Sequence, residues 1–251
     1  FWDGRACDVF PGRTPFGDSD DGGNVLVEAS GGLRPETLRI ERAGLASQAM
    51  DPPLDHREMS YRGRTWPMLG RRMLAARPLA LQHVAPDDSV LGPYANAGDP
   101  GLLPGHTYLT LIRAAFQPSY WSSPALVDGS GRPAGEGPES AGIPSAFTQA
   151  EYNFAMFFGL AIQAYESTLI SNESRYDQYL DGRRDALTPV ELTGLEMFRG
   201  RACASCHVDP EMTLATYRGV YGDKQYAALG QDAGFFPTRV EPIENDIGLG
   251  D

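Results

Sequence analysis

One short motif constrains this chain more than any other part of its sequence. Cys203 and Cys206 are separated by two residues, and His207 follows directly. This spacing is the covalent attachment signature of a c-type haem. Each thiol adds across one haem vinyl group, and the histidine then reaches the iron as its proximal ligand. The motif therefore predicts a haem-binding fold around residues 203–207.

Other sites that use paired cysteines fit the sequence less well. A structural zinc site needs four ligands, usually two cysteine pairs or a cysteine pair with a spaced histidine pair. The remaining cysteine and histidines are scattered along the chain, at Cys7, His56, His83 and His106. A thioredoxin-like redox pair needs a βαβ setting, which the flanking sequence does not offer. Zinc binding and a plain disulfide stay open as alternatives to haem c.

A covalently attached haem also restricts the cellular compartment. Bacteria attach haem c on the far side of the cytoplasmic membrane, so we expect a periplasmic, cell-surface or secreted protein. Cys7 is then an odd cysteine in an oxidising compartment. It either pairs with a cysteine outside this chain or is buried as a small apolar residue, and the sequence does not choose.

The charge balance narrows the set of partners. The 251 residues include 21 basic and 33 acidic side chains, a net charge of −12. Such a surface is a poor match for nucleic acid. The longest apolar stretch, residues 154–162, is about half as long as a membrane span. We expect no nucleic-acid partner and no membrane span, and the length suits one or two domains.

Local patterns predict a mainly α fold of cytochrome c type, with long loops and few short strands. Residues 11–35 are rich in Gly, Asp and Pro, which indicates an inserted loop with one hairpin. Residues 122–143 have the composition of a linker or an insertion. The strongest helical pattern runs from residue 145 to residue 170. Its expected buried side chains are Phe147, Tyr152, Met156, Leu160 and Tyr165.

A second helix leads directly into the haem motif. Thr188 is the expected N-cap, Pro189 takes the first helical position, and Glu191 completes a capping box. Gly200 is expected to end this helix three residues before Cys203. Its predicted apolar face consists of Leu192, Leu195 and Phe198.

Several blocks of sequence resemble the bacterial di-heme cytochrome c peroxidases. The runs similar to the C-terminal haem domain of that family are residues 169–182, 186–194 and 198–207. Residues 1–6 are similar to a motif that follows the first haem, and residues 45–59 resemble a third block. Together these runs contain 54 of the 251 residues. The long loops between them are typical of the larger, insertion-bearing branch of the family.

The resemblance implies a domain organisation. Residues 1–121 would be the remainder of an N-terminal peroxidatic haem domain carrying the inserted loop 11–35. Residues 122–143 would be a linker or insertion, and residues 144–251 a C-terminal cytochrome c domain truncated at its C-terminal side. The family carries two haem motifs and this chain has one. The resemblance therefore implies an internal or processed piece, completed by the rest of the same protein or by a companion chain.

In that arrangement further haem components lie outside the chain. The first haem motif is expected upstream of Phe1. The second axial ligand of the Cys203 haem, methionine or another residue, is expected beyond Asp251. The calcium-binding positions that relatives carry between their domains also fall outside this sequence, so calcium is implied only for the longer protein.

The resemblance also assigns roles to individual residues. Trp2 matches the tryptophan that relays electrons between the two haems. Glu58 matches a distal-pocket glutamate that moves protons as the peroxide O–O bond breaks, and Gln48 would hold the hydrogen bonding of that pocket in place. The implied activity is reduction of hydrogen peroxide to water. The electrons would come from a small redox protein, a cytochrome c or a cupredoxin.

Two other functions remain open. An oxidase or oxygenase of the same superfamily would act on an organic or protein substrate. A non-enzymatic multihaem protein would retain the scaffold and only transfer electrons. The sequence does not identify the electron donor, the sixth iron ligand or the oligomeric state.

Overall fold

Contacts between residues divide the chain into two compact units. A computed structural model describes residues 6–15, 17, 23–135, 137, 144–214, 216 and 242. The first unit is Ala6–Ala164, and the described part of the second unit begins at Tyr165. The domain limits expected from the sequence are 1–121, 122–143 and 144–251. They differ from this division and stay predictions.

The described residues are mostly helical with few short strands, 34% helix and 10% strand, which confirms the mainly α prediction. The α-helices that lie within the first unit are α1 Gly44–Gln48, α2 Trp66–Leu74, α3 Tyr108–Ala115 and α4 Gln149–Tyr152, while α5 Phe154–Glu166 begins in the first unit and ends two residues beyond Ala164. The strands are β1 Val25–Ala29, β2 Gly32–Glu36, β3 Leu126–Val127 and β4 Phe147–Thr148. The second unit contains α6 Arg175–Leu180 and α7 Pro189–Arg199, with a 3-10 turn at Ala202–Ser205. Within the described ranges, none of the helices has the length and hydrophobicity of a membrane span.

Among its described residues, the range 11–35 contains a hairpin, while its origin as an insertion stays a prediction. β1 and β2 pair antiparallel, with Val25 opposite Glu36 and Ala29 opposite Gly32. The turn between them uses Gly31, whose φ of +116° belongs to a region that favours glycine. Val25 and Leu26 are buried, so the first strand packs onto the unit and the second faces solvent.

The single helix predicted over residues 145–170 is shorter and interrupted. Phe147 and Thr148 pair with β3 as a strand, and the Thr148 side chain caps α4. At Asn153 the backbone leaves helical geometry, with φ −82° and ψ 4°. The Asn153 side chain there bonds the backbone of Leu26, 127 residues earlier, and not its own helix. Such a distant partner leaves no trace in local periodicity.

The first unit folds around an aromatic core. Phe154 and Phe157 on α5 are buried, with Phe157 4.7 Å from Phe116 between ring centroids. Trp66 on α2 lies 5.4 Å from Phe158, in the tilted arrangement that aromatic pairs prefer. Of the expected buried residues, four are buried or partly buried: Phe147, Tyr152, Met156 and Leu160. Tyr165 is 63% exposed, so its predicted burial is wrong.

Two buried amides fasten the hairpin to the helices. Gln149 Nε2 donates to the carbonyls of Leu26 and Ser119, at 2.8 and 2.7 Å. Asn153 Nδ2 donates to the carbonyls of Leu26 and Tyr120, and its Oδ1 accepts from the Leu26 N–H at 2.8 Å. Both amides are fully buried, and hydrogen bonding of this kind offsets the cost of burying polar groups. The β1–β2 hairpin is therefore an integral part of the first unit.

The range 122–143 is anchored where the structure describes it. Val127 in β3 is buried and packs against Leu26 and Tyr152. The Ser123 N–H donates to Gln149 Oε1 at 2.9 Å. Whether this range acts as a linker or as an insertion stays a prediction.

Candidate haem-binding site

Helix α7 brings the chain to the candidate site. The Thr188 side chain accepts from the Glu191 N–H at 3.3 Å, and Glu191 Oε2 accepts from the Thr188 N–H at 2.7 Å. The helix starts at Pro189 and has Gly200 as its C-cap, so the helix predicted here is confirmed at both ends. Its predicted apolar face is half-buried while the rest of the helix is exposed; that face consists of Leu192, Leu195 and Phe198.

A bidentate ion pair joins α6 to α7. Arg175 Nη1 and Nη2 each donate to one Glu191 carboxylate oxygen at 2.6 Å, and Arg175 Nε donates to the Ala186 carbonyl at 2.8 Å. The hydrogen bonds from Arg175 lower the pKa of Glu191 to about 2, with a further contribution from the Thr188 N–H. The same pairing raises the pKa of Arg175. Glu191 thus serves both as the capping-box residue and as the bridge between the helices.

The two cysteines and the histidine share one short helical turn. The turn Ala202–Ser205 continues into His207, whose N–H donates to the Cys203 carbonyl at 3.0 Å. Residues three and four positions apart lie on the same face of a helical turn. Cys206 and His207 stand in those positions relative to Cys203, and the backbone N–H groups of both donate to the Cys203 carbonyl, at 3.3 and 3.0 Å. Both thiols are exposed and free, which keeps them accessible for covalent attachment.

The histidine ring is oriented by a backbone carbonyl. His207 Nδ1 lies 2.9 Å from the Met212 carbonyl oxygen. Because a carbonyl only accepts, Nδ1 carries a proton, and in the neutral ring Nε2 presents the lone pair. This arrangement, a ligating histidine whose other nitrogen donates to a backbone carbonyl, is usual at metal centres. The ring also lies 6.2 Å from Phe198, measured between centroids.

These observations fit a c-type haem. Residues 203–207 carry two accessible thiols and one imidazole, and the hydrogen bond at Nδ1 leaves Nε2 to coordinate iron. Among the residues the structure describes, no group of three or more His, Cys, Asp or Glu side chains is arranged to hold a bare metal ion. The sequence pointed to the two cysteines and the histidine. It missed Met212, which contributes through its backbone and so carries no residue-type signal.

The structure adds little to the roles predicted for Gln48, Glu58 and Trp2. Gln48 is the last residue of α1 and is half-buried. Glu58 lies in an exposed turn, where its N–H donates to the Asp55 carbonyl at 3.2 Å. Trp2 lies outside the described residues. The roles of all three stay predictions.

Curated relatives match short stretches of this chain. The cytochrome c551 peroxidase of Nitrosomonas europaea is 34% identical over 74 residues, which cover 30% of this chain and 22% of that protein. The cytochrome c551 peroxidase of Pseudomonas aeruginosa is 44% identical over 48 residues, 19% of this chain and 14% of that protein. The cytochrome c peroxidase Ccp of Escherichia coli K12 is 40% identical over 47 residues, 19% of this chain and 10% of that protein.

These matches relate the chain to bacterial cytochrome c peroxidases over short stretches. The chain spans at most 22% of the length of these relatives. No family model and no solved structure matches it.

Proposed function

We propose that this chain is part of a di-heme cytochrome c peroxidase. The reaction would consume one hydrogen peroxide, two electrons and two protons and release two waters, with electrons supplied by a small cytochrome c or cupredoxin. The observation that carries the proposal is the His207 imidazole, oriented by the Met212 carbonyl on the same turn as two accessible thiols. The short similarities to named peroxidases support it from a separate direction.

The second unit would be the point where electrons enter. Cys203 and Cys206 would each form a thioether to the haem, and His207 Nε2 would ligate its iron. When bound, the haem supplies a one-electron redox centre whose potential depends on its ligands and surroundings. Trp2 would lie on the path of the electron towards a second haem bound upstream, a role that rests on the resemblance alone.

Glu58 would supply proton transfer at the second haem. A carboxylate near bound peroxide can accept a proton from one oxygen and deliver it to the other as the O–O bond breaks. Gln48, ten residues earlier, would hold the hydrogen bonds of that pocket. This part of the proposal rests on the sequence pattern of the two residues.

The rest of the proposal concerns the setting of the protein. Attachment of haem c implies a periplasmic, cell-surface or secreted location in a bacterium. The remaining part of a longer protein, or a companion chain, would supply the second haem and the other axial ligand. A calcium site between the domains would belong to that longer protein.

The exposure of Glu58 favours one second candidate, a protein that transfers electrons without reducing peroxide. A proton-transfer carboxylate is usually held in a partly dry pocket, where its pKa can be matched to its task. In this structure the Glu58 side chain faces solvent. An electron-transfer protein needs the haem attachment site of the second unit and makes no demand on Glu58.

Peroxide turnover by the full-length, haem-loaded protein separates the two candidates. Glu58→Gln keeps the shape of the side chain and removes the titrating group. We expect turnover with peroxide and a reduced donor to fall by at least about 10²-fold, because proton transfer of this kind contributes about 10²–10⁴-fold. The spectrum of the haem on Cys203 should change little.

Glu41→Gln is the matched control, since Glu41 is another exposed glutamate of the first unit. It should leave turnover unchanged. Wild-type protein that exchanges electrons with the donor but does not consume peroxide would establish the second candidate. Normal peroxide turnover by Glu58→Gln would remove Glu58 from the mechanism.

A further inference from the structure

Three side chains beside the candidate site form one closed hydrogen-bonded set: Tyr176 on α6, Arg199 on α7, and Asp209. The Tyr176 hydroxyl donates to Asp209 Oδ1. Arg199 Nε donates to Asp209 Oδ2 at 2.7 Å, and Arg199 Nη2 donates to the Tyr176 oxygen at 3.1 Å. The set joins two helices to the segment that follows His207.

The protonation states suit this arrangement. Burial raises the pKa of Tyr176, and the hydrogen bond to Asp209 raises it further. The hydroxyl therefore stays protonated and remains the donor to the carboxylate. Arg199 also lies 2.6 Å from Asp209 Oδ2 through Nη2, so two of its nitrogens contact the same oxygen. Arginine holds carboxylates well in this way because its planar group presents several donors in fixed geometry.

Asp209 lies inside the loop that orients the haem-ligating histidine. It follows His207 by two residues and precedes Met212, whose carbonyl accepts from His207 Nδ1, by three. The Leu214 N–H donates to the Cys206 carbonyl at 3.1 Å and closes the loop. Met212 has a φ of +57°, in the left-handed region that residues other than glycine rarely adopt. Such a conformation persists only where the surrounding structure holds it.

We propose that Tyr176 and Arg199 are positioning residues for His207. They hold Asp209, which fixes the loop that carries the Met212 carbonyl. The loop in turn sets the strength of the hydrogen bond that His207 Nδ1 donates. This inference rests on the proposed haem site of the second unit. It adds that the three side chains help to set the reduction potential of the haem iron.

The expected direction follows from ligand chemistry. A firm hydrogen bond from Nδ1 raises the basicity of the other ring nitrogen. A more basic axial ligand favours ferric over ferrous iron and lowers the reduction potential, which depends on ligation and hydrogen bonding around the haem. Loosening the loop weakens the bond from His207. The midpoint potential should therefore rise when the set is broken.

Tyr176→Phe is the direct test, because it removes one hydroxyl without changing charge. We would measure the midpoint potential of the attached haem by redox titration of the full-length, haem-loaded protein. We expect a rise equivalent to up to about a tenfold change in the ratio of oxidised to reduced haem, which is about 59 mV for one electron. Tyr179→Phe is the control on the same helix, since Tyr179 makes its contact to Arg184 through the ring. It should not move the potential.

Two further variants distinguish the effect of loop position on the midpoint potential from the effect of charge. Asp209→Asn removes a negative charge two residues from His207, and loss of a nearby negative charge raises the potential of a redox centre by itself. Glu211→Gln removes a charge from an exposed residue of the same loop and leaves the set intact. A larger rise for Asp209→Asn than for Glu211→Gln is expected. Where Tyr176→Phe does not fold, Arg199→Lys replaces it, because lysine keeps the charge and loses the planar fork.

The outcomes are distinguishable. Unchanged potentials in Tyr176→Phe and Arg199→Lys, accompanied by lower thermal stability, would make the set a purely structural brace and overturn the inference. A wild-type protein that carries no covalent haem would instead overturn the proposed haem site. A rise confined to variants of the set, absent from Tyr179→Phe, supports the positioning role.

Discussion

The first unit buries aromatic side chains such as Phe154 and Phe157, whereas the described part of the second unit joins its helices by hydrogen bonds among exposed side chains. In the second unit the buried apolar residues among those described are Ala186 and Leu214. A packed core of this kind stabilises the first unit without any bound ligand. In the second unit, caps and ion pairs stabilise the helices without a packed core. The apolar face of α7 therefore remains half-buried, which leaves apolar surface that a bound haem can cover.

The largest expected effect breaks the core of the first unit. Phe157→Ala removes a ring that is 2% exposed and packs on Phe116. The lost burial and the cavity should lower the free energy of unfolding by about 3–5 kcal/mol. Denaturant unfolding with hydrogen exchange resolved to residues 6–164 measures it.

Leu81→Ala is the control for that variant, because Leu81 is 95% exposed. Its effect should stay within about 0.5 kcal/mol. Equal losses for the two variants would show that the aromatic cluster does not hold the first unit together.

A capping box of the same kind in each unit sharpens the comparison. Thr188→Ala removes the cap of α7 and should cost about 1 kcal/mol of local stability, seen as faster amide exchange in α7. Thr148→Ala removes the matching cap of α4, a helix that burial of Gln149 and Tyr152 also holds. Exchange in α4 should therefore change less. A larger change in α4 than in α7 would contradict the distinction between the units.

The smallest effect concerns acid stability of the second unit. The pKa of Glu191 is lowered from its ordinary value of 4.5 to about 2 by Arg175, so folding favours the ionised carboxylate. The stabilisation is fully present above about pH 4.5 and is lost as the pH falls towards 2. Unfolding followed by circular dichroism across this range should show the loss in wild type, and Glu191→Gln should remove this part of the pH dependence.

Glu196→Gln serves as the control on the same helix, because Glu196 is also exposed. It should keep the wild-type profile between pH 4.5 and pH 2. An identical profile in Glu191→Gln and wild type would mean that the ion pair with Arg175 does not stabilise the second unit.

Features that depend on neighbouring residues, such as the ends of a helix, could be predicted from the sequence. Helix α7 was predicted correctly at both ends because its signals, Thr188, Pro189 and Gly200, lie within the helix or next to it. The interruption at Asn153 was missed because its cause is a hydrogen bond to Leu26, far away in the chain. Sequence periodicity records which face of a helix is apolar and contains nothing about such distant partners.

The candidate site divides in the same way. Residue type and spacing predict Cys203, Cys206 and His207 as the haem-binding residues. The orientation of the ring depends on the backbone carbonyl of Met212, and the loop is held by side chains on two other elements, among them Tyr176. These contributions are geometric, so they become visible only when the fold brings the segments together.

Covalent attachment of haem to Cys203 and Cys206 is the central claim, and the mass and absorbance of the denatured protein test it most directly. After extraction with acid acetone, the full-length wild-type chain should retain its pigment and a mass that includes haem. Cys203→Ala should weaken attachment, and His207→Ala should lose the native low-spin spectrum of this haem. Complete extraction of the pigment, which leaves a chain whose mass shows no haem attached at residues 203–207, would contradict the account.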